Sequence, residues 1–367
     1  MSSFQNTYRN KVVLVTGHTG FKGSWLSIWL NQLGARVVGL SIDVPSTPCN
    51  FAVAQLGEFV EDHRAEVCDL EVVRDIVLRA NPDFVFHLAA QALVRPSYED
   101  PIRTFEVNAI GSANVLQALR DLKKPVSTVM ITSDKAYDNV EWPWGYRETD
   151  RLGGKDPYSA SKGMAELAIR AFIESFFSGA ETEKRIAVAR AGNVIGGGDW
   201  ATDRIVPDCI RAWALSQNAD IRNPNATRPW QHVLEPLSGY LALGADLHRR
   251  ADLHSQAYNF GPSALQNHAV KDLIDEMRRH WKNVRWNDVS QSGERLHEAG
   301  LLKLNCDKAL FDLKWRPVLH FEETVRMTIE WYRTYYSESE ASMFAYSQKQ
   351  IQEYTLLAAH RGLAWAK

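Results

Sequence analysis

Cysteine is scarce in this 367-residue chain: Cys49, Cys68, Cys209 and Cys306 lie far apart, with no C-x-x-C pair and no histidines at zinc-ligand spacing. That pattern excludes a disulfide framework and a structural zinc site, so the cysteines read as reduced fillers and no metal is expected. Long apolar runs are lacking as well. Nothing approaches the roughly 18 apolar residues of a membrane span, and residues 1–10 are polar where a signal peptide would be apolar. The expectation is a cytoplasmic protein with no membrane partner. Charge of one sign is also missing: a formal net charge of -2 leaves no footprint for nucleic acid, and any anionic ligand must be held by local groups. No internal repeat and no low-complexity tract is visible.

The composition that remains, 45% hydrophobic and 23% charged, is that of an ordinary globular protein. The length suits a large core domain with a smaller lobe. Twelve tryptophans are a high count, and core or lobe packing explains Trp142, Trp144, Trp281, Trp286 and Trp315 more simply than sugar stacking does.

Residues 11–16 (KVVLVT) form a β-branched run that ends in glycines. Trp25, Leu26, Trp29 and Leu30 then follow at helical spacing as far as Gly34, which reads as strand, turn and helix. Residues 36–42, 83–87 and 127–132 are further apolar strands, separated by enough chain for crossover helices. Continuous apolar strands alternating with helices imply a parallel sheet covered on both faces. The expected fold is therefore α/β: a Rossmann-type doubly wound parallel sheet with a smaller mixed α/β substrate lobe. Residues 1–190, with a returning segment near 231–258, would form the dinucleotide-binding domain. Residues 191–230 and 259–367 would form the lobe and the C-terminal helices, the last of them after a polar hinge at 337–342.

Gly17, Gly20 and Gly23 stand between the first strand and its helix. Glycines there permit a tight turn and close approach to a pyrophosphate, which the N–H groups and positive end of the helix favour. Thr19, Phe21 and Lys22 complete the loop. Asp43 is the nearest acid for the adenosine ribose, although it lies slightly late and Ser41 occupies the usual place. The lack of an arginine cluster favours NAD over NADP. Asp69 and Leu70 would suit the adenine edge, and Leu88, Ala89 and Ala90 offer small side chains over a strand end.

Tyr158 and Lys162 lie four apart, on one face of a helix. A nearby ammonium would lower the phenol toward working pH, so that Tyr158 could take a proton from a sugar hydroxyl. With the glycine motif and an upstream Ser133, this pair resembles the extended short-chain dehydrogenase/reductases, over almost the whole chain. Residues 132–137 (TSDKAY), 144–148 (WGYRE), 156–159 (DPYS), 190–200 (RAGNVIGGGDW) and 228–235 (RPWQHVLE) resemble the branch of that family that dehydrates CDP-glucose.

The resemblance implies NAD as cofactor, reduced and reoxidised within one turnover, and CDP-glucose as the nucleotide-sugar substrate. It assigns Tyr158, Ser133 and Lys162 to oxidation at C4, and Asp134 to protonation of the departing C6 hydroxyl. Lys135 stands where related enzymes carry a glutamate as C5 base. It acts as that base only if its proton can be lost; otherwise it pairs with Asp134 or the substrate, and another group, such as Tyr158, takes the C5 proton. Asn193, Arg204, Arg228, His232 and Ser97 would contact the substrate. A homodimer or homotetramer is implied, with the helices over 101–122 and 158–177 as a bundle between subunits. Another nucleotide-sugar 4,6-dehydratase, acting on dTDP- or GDP-sugars, or a 4-epimerase, keeps the same fold and cofactor.

Overall fold

The computed structural model describes residues 3–179, 183–263, 266–290, 301–338 and 340–367; Ser339 of the polar hinge lies outside them. Seven parallel strands form the central sheet: β1 (Val12–Thr16), β2 (Arg36–Ser41), β3 (Glu61–Arg64), β4 (Phe84–His87), β5 (Val126–Ile131), β6 (Lys184–Ala191) and β7 (Ala257–Phe260). Their spatial order is β7-β6-β5-β4-β1-β2-β3. The order reverses between β1 and β4, and it is outside the carboxyl ends of strands at such a switch point that ligands bind in open α/β sheets.

The inner strands are apolar because both faces are covered; every residue of β5 is buried. The outermost strand β3, with sequence EDHR, is polar and largely exposed, which suits an edge that must not recruit another strand.

Helix α1 (Phe21–Gln32) is buried on nearly all sides, with Trp25, Leu26, Ile28, Trp29 and Leu30 in the main core. It lies between the sheet and the C-terminal helix, and therefore shows no polar stripe. Asp69 caps α2 (Leu70–Ala80), which ends on a left-handed Asn81. The helical stretch expected over 101–122 is a run from Pro101–Phe105 through a π turn at Glu106–Ile110 into α3 (Gly111–Arg120). Inside the π turn, the Asn108 amide bonds the Gln91 backbone and the Ser161 hydroxyl. Helix α4 (Pro157–Phe176) starts sharply because Asp156 caps it and Pro157 opens its first turn.

Beyond β6 the chain builds small two-stranded sheets, pairing Val194–Ile195 with Gln231–His232, Thr227–Arg228 with His268–Ala269, and Ala219–Ile221 with Trp286–Asp288. Helices α5 (Ile205–Ala214) and α7 (Val270–Arg278) flank them, while α6 (Leu234–Arg249) returns to cover β5 and β6. Helix α8 (Phe321–Ser337) leads to α9 (Met343–His360), which packs on α1. Trp365 stacks on Phe4 at 5.0 Å, joining the two ends of the described chain.

Candidate active site

A cavity of about 950 Å³ opens over the carboxyl ends of β1, β2, β4, β5 and β6 and runs under the lobe. Its floor at one end is the glycine loop. Gly17 has φ +75, and a Cβ there would meet Ala89 N at 2.7 Å; a Cβ on Gly23 would meet Gly17 O at 2.0 Å. These two positions exclude any side chain, which lets the β1–α1 turn close tightly at the positive end of α1. No acid stands in the first turn of α1, and Lys22 lines the same wall. The residues present therefore fit a dinucleotide pyrophosphate.

At the β2 end, Thr19 donates to the Asp43 carbonyl at 2.6 Å, while the Asp43 carboxylate accepts the Val44 N–H at 2.7 Å. His18 lies behind, between Ser41 (3.0 Å) and Asp62 (2.8 Å).

At the β5 end, Ser133, Asp134 and Lys135 lead off the strand into a single 3-10 turn. Ser133 donates to Asp134 Oδ1 at 2.9 Å, and its Oγ accepts the Lys135 N–H at 3.2 Å. The Tyr158 side chain is hydrogen-bonded to Ser133. Lys162 Nζ lies 5.9 Å from the Tyr158 ring centroid.

Burial dominates the electrostatics. It pushes the Tyr158 phenol up to about 12, against the Ser133 hydrogen bond that lowers it, and Asp134 adds to the rise. The phenol thus sits above its ordinary value, contrary to the expectation from Lys162 alone, because desolvation outweighs the neighbouring cations. Lys162 is drawn down to about 8 by burial, with Glu166 opposing. Burial and then the Arg204 charge bring Lys22 to about 8. Asp134, only 4% exposed, is raised by burial despite Lys135 and Ser133. The shift is in the direction that a general acid needs.

Of the residues singled out in the sequence, Gly17, Thr19, Gly20, Phe21, Lys22, Gly23, Asp43, Leu88, Ala89 and Ala90 line the cofactor end of this cavity. Ser133, Asp134, Lys135, Tyr158 and Lys162 line its centre, and Asn193, Arg204 and Arg228 its far wall. Four stand outside the lining. Asp69 is spent as the cap of α2, accepting the Val72 N–H at 3.2 Å, and Leu70 is the first residue of that helix. The adenine-side wall is instead Ala65, Glu66 and Val67, just after β3. Ser97 is fully buried and donates to Val94 O at 2.6 Å. His232 is fully buried in the lobe, with its ring 6.2 Å from that of Trp25.

Several contributors were not anticipated. Asp199 holds Arg204 at 2.7 Å. Gly192 leaves room for the Asp134 carboxylate. Glu166, one turn beyond Lys162, accepts Thr132 Oγ1 at 2.5 Å and Arg190 at 2.7 and 2.9 Å. Gly192, Asp199 and Arg190 all lie in the 190–200 motif, which signalled their importance without their roles.

Residues 14–328 match the family model described as GDP-mannose 4,6 dehydratase. A CDP-glucose 4,6-dehydratase of Salmonella typhimurium is 43% identical over 354 residues, 95% of this chain and 98% of the relative. A UDP-glucose 4-epimerase of Mycoplasma pneumoniae is 23% identical across 89% of this chain and 97% of its own. Among solved structures, a Streptomyces venezuelae dTDP-glucose 4,6-dehydratase double mutant with NAD and DAU bound superposes with TM-score 0.72 at 20% identity, covering 88% of this chain and 96% of that one. A Thermotoga maritima UDP-glucose 4-epimerase with UDP-glucose reaches 0.73 at 22%, covering 88% and 99%.

Proposed function

The chain belongs to the GDP-mannose 4,6-dehydratase family, and from that premise we propose that it is an NAD-dependent hydro-lyase converting CDP-D-glucose to CDP-4-dehydro-6-deoxy-D-glucose and water. The observation that carries this reading is an acid and an amine, Asp134 and Lys135, on the same short turn as Ser133, facing Tyr158 and Lys162 in one cavity. A 4-epimerase expels no hydroxyl and has no use for a buried acid at that position.

NAD, when bound, supplies the means of oxidising C4 and later reducing C6. The glycine loop and Lys22 would hold its pyrophosphate, Asp43 would lie toward the adenosine ribose, and Leu88, Ala89 and Ala90 would line its path. Tyr158 Oη takes the C4 hydroxyl proton, with Ser133 Oγ hydrogen-bonded beside it and Lys162 supplying positive charge. The ketone at C4 acidifies C5–H. The neutral amine of Lys135 would remove that proton, becoming the ammonium, and Asp134 would deliver its own to the C6 oxygen, which leaves as water. Arg204 and Arg228 would bind the diphosphate, for which a planar guanidinium is well shaped, and Asn193 the sugar.

A cytoplasmic homodimer or homotetramer is part of the same reading. Among the described residues no helix is long and apolar enough to cross a membrane. Ile102, Ile110, Met164 and Leu167 are exposed on the two helical stretches expected to pair between subunits.

The test is incubation of the NAD-loaded protein with CDP-, dTDP-, UDP- and GDP-glucose in turn. The expected result is a keto-deoxy product from CDP-glucose with no net NADH. Steady accumulation of NADH, or a simple epimer, contradicts it.

A further inference from the structure

The lobe end of the cavity holds a second charged cluster, away from the catalytic turn. One oxygen of Asp203, Oδ1, takes both Arg95 at 3.1 Å and Arg222 at 3.2 Å. Arg95 comes from the helix Val94–Glu99 on the sheet side, and Arg222 directly follows the lobe strand Ala219–Ile221. Asp203 has φ +62, a left-handed conformation that side chains other than glycine rarely adopt and that persists where the surroundings enforce it. Asp208, on the first turn of α5, belongs to the same cluster. Arg211 occupies its Oδ1, and the charges of Asp203 and Arg222 both reach it. Asp203, Asp208 and Arg222 all line the cavity.

Position along the cavity separates the arginines. Arg204 stands where its charge reaches Tyr158 and Lys22, at the catalytic end of the cavity. Arg222 stands with Asp208 further out. A nucleotide sugar with its hexose at Tyr158 would extend past Arg204 toward the cavity wall that holds Arg222.

We infer that Arg222, fixed by Asp203, together with Asp208 selects cytosine as the base of the substrate. This rests on the reading of the site as one for a nucleotide sugar. Cytosine presents two adjacent acceptors, O2 and N3, and an amino donor at C4. A guanidinium donates to two neighbouring acceptors at once, and a carboxylate accepts from the amino group. Uracil and thymine reverse two of the three positions: N3–H would face the Arg222 donors, and O4 would face the Asp208 carboxylate. The same two residues therefore attract one base and repel the others, which is how selectivity exceeds what contacts alone supply. The Asp203 ion pair favours one orientation of the Arg222 guanidinium.

The experiment is calorimetric titration of the NAD-loaded protein with CDP and with UDP. The unaltered chain is expected to bind CDP more tightly. Arg222→Lys, which keeps the charge and loses the fork, should lower the UDP-to-CDP ratio of Kd about tenfold, the scale of one bidentate base contact. Asp208→Asn should lower it in the same direction. Equal binding of CDP and UDP by the unaltered chain, an unchanged ratio in both variants, or an equal loss for both nucleotides in Arg222→Lys overturns the inference; the last would make Arg222 a phosphate ligand. Because these are binding ratios, they stand apart from the reaction itself, which fails only if CDP-glucose gives no keto product.

Discussion

A side chain at Gly192 would place its Cβ 2.7 Å from Oδ2 of Asp134, so the absence of one at the end of β6 defines where the acid's carboxyl sits. The contact is with the end of a side chain, so an added methyl displaces the acid before it disturbs the backbone. Gly192→Ala should therefore lower kcat by about 100-fold, the cost of misplacing a reacting group by roughly 1 Å. NAD affinity, measured by titration, should stay at the parental value.

Asp134→Asn separates the two halves of the reaction. An amide cannot give up a proton to the C6 oxygen, yet Ser133, Tyr158 and Lys162 remain for oxidation at C4. Dehydration should slow by about 10²–10⁴-fold, the usual worth of a general acid. Enzyme-bound NADH should accumulate, visible by absorbance on mixing with substrate.

Glu166 and Arg190 form a pair that is 4% exposed on both sides. Removing one partner strands the other, so Glu166→Gln should cost about 3–5 kcal/mol in denaturant unfolding. It also removes the carboxylate that opposes the burial-driven fall of Lys162. Lys162 carries its charge below about 8, so activity should decline as pH rises through that value. In Glu166→Gln this alkaline limb should move to lower pH, a shift that a purely structural role would not produce.

His232 is fully buried and drawn down to about 3, first by burial and then by the Arg326 charge. Its folded-state value lies below the ordinary one of 6.5, so between about pH 3 and 6.5 the unfolded chain binds the extra proton. Stability should fall as pH drops through that window, by about 1.4 kcal/mol per pH unit for this group. Unfolding curves of the parent and of His232→Leu, compared at several pH values, should differ in slope by that amount and in that direction.

Much of the site could be read from local pattern. Gly17 and Gly23 betray themselves because the turn they make leaves no room for a Cβ, and Tyr158 and Lys162 because helical spacing puts them on one face. Spacing along the chain failed where a residue's direction mattered. His232 lies in a motif that lines the cavity through Arg228 and Trp230, but its own ring is buried beside Trp25 of α1. For Asp69 the difficulty is that the strand before it, EDHR, is a polar edge without an apolar run to mark its end. The cavity wall falls three residues earlier, at Glu66. The bridge from Arg95 through Asp203 to Arg222 joins segments more than 100 residues apart, and no local pattern announces it.

The most direct test follows one atom through the reaction. CDP-glucose carrying deuterium at C4 is converted by the NAD-loaded protein, and the product is read by NMR and mass spectrometry. Deuterium at C6 of a 4-keto-6-deoxy sugar, with a solvent-derived hydrogen at C5, is the predicted result. Deuterium still at C4 of an epimer, or retained in released NADH, would contradict the account.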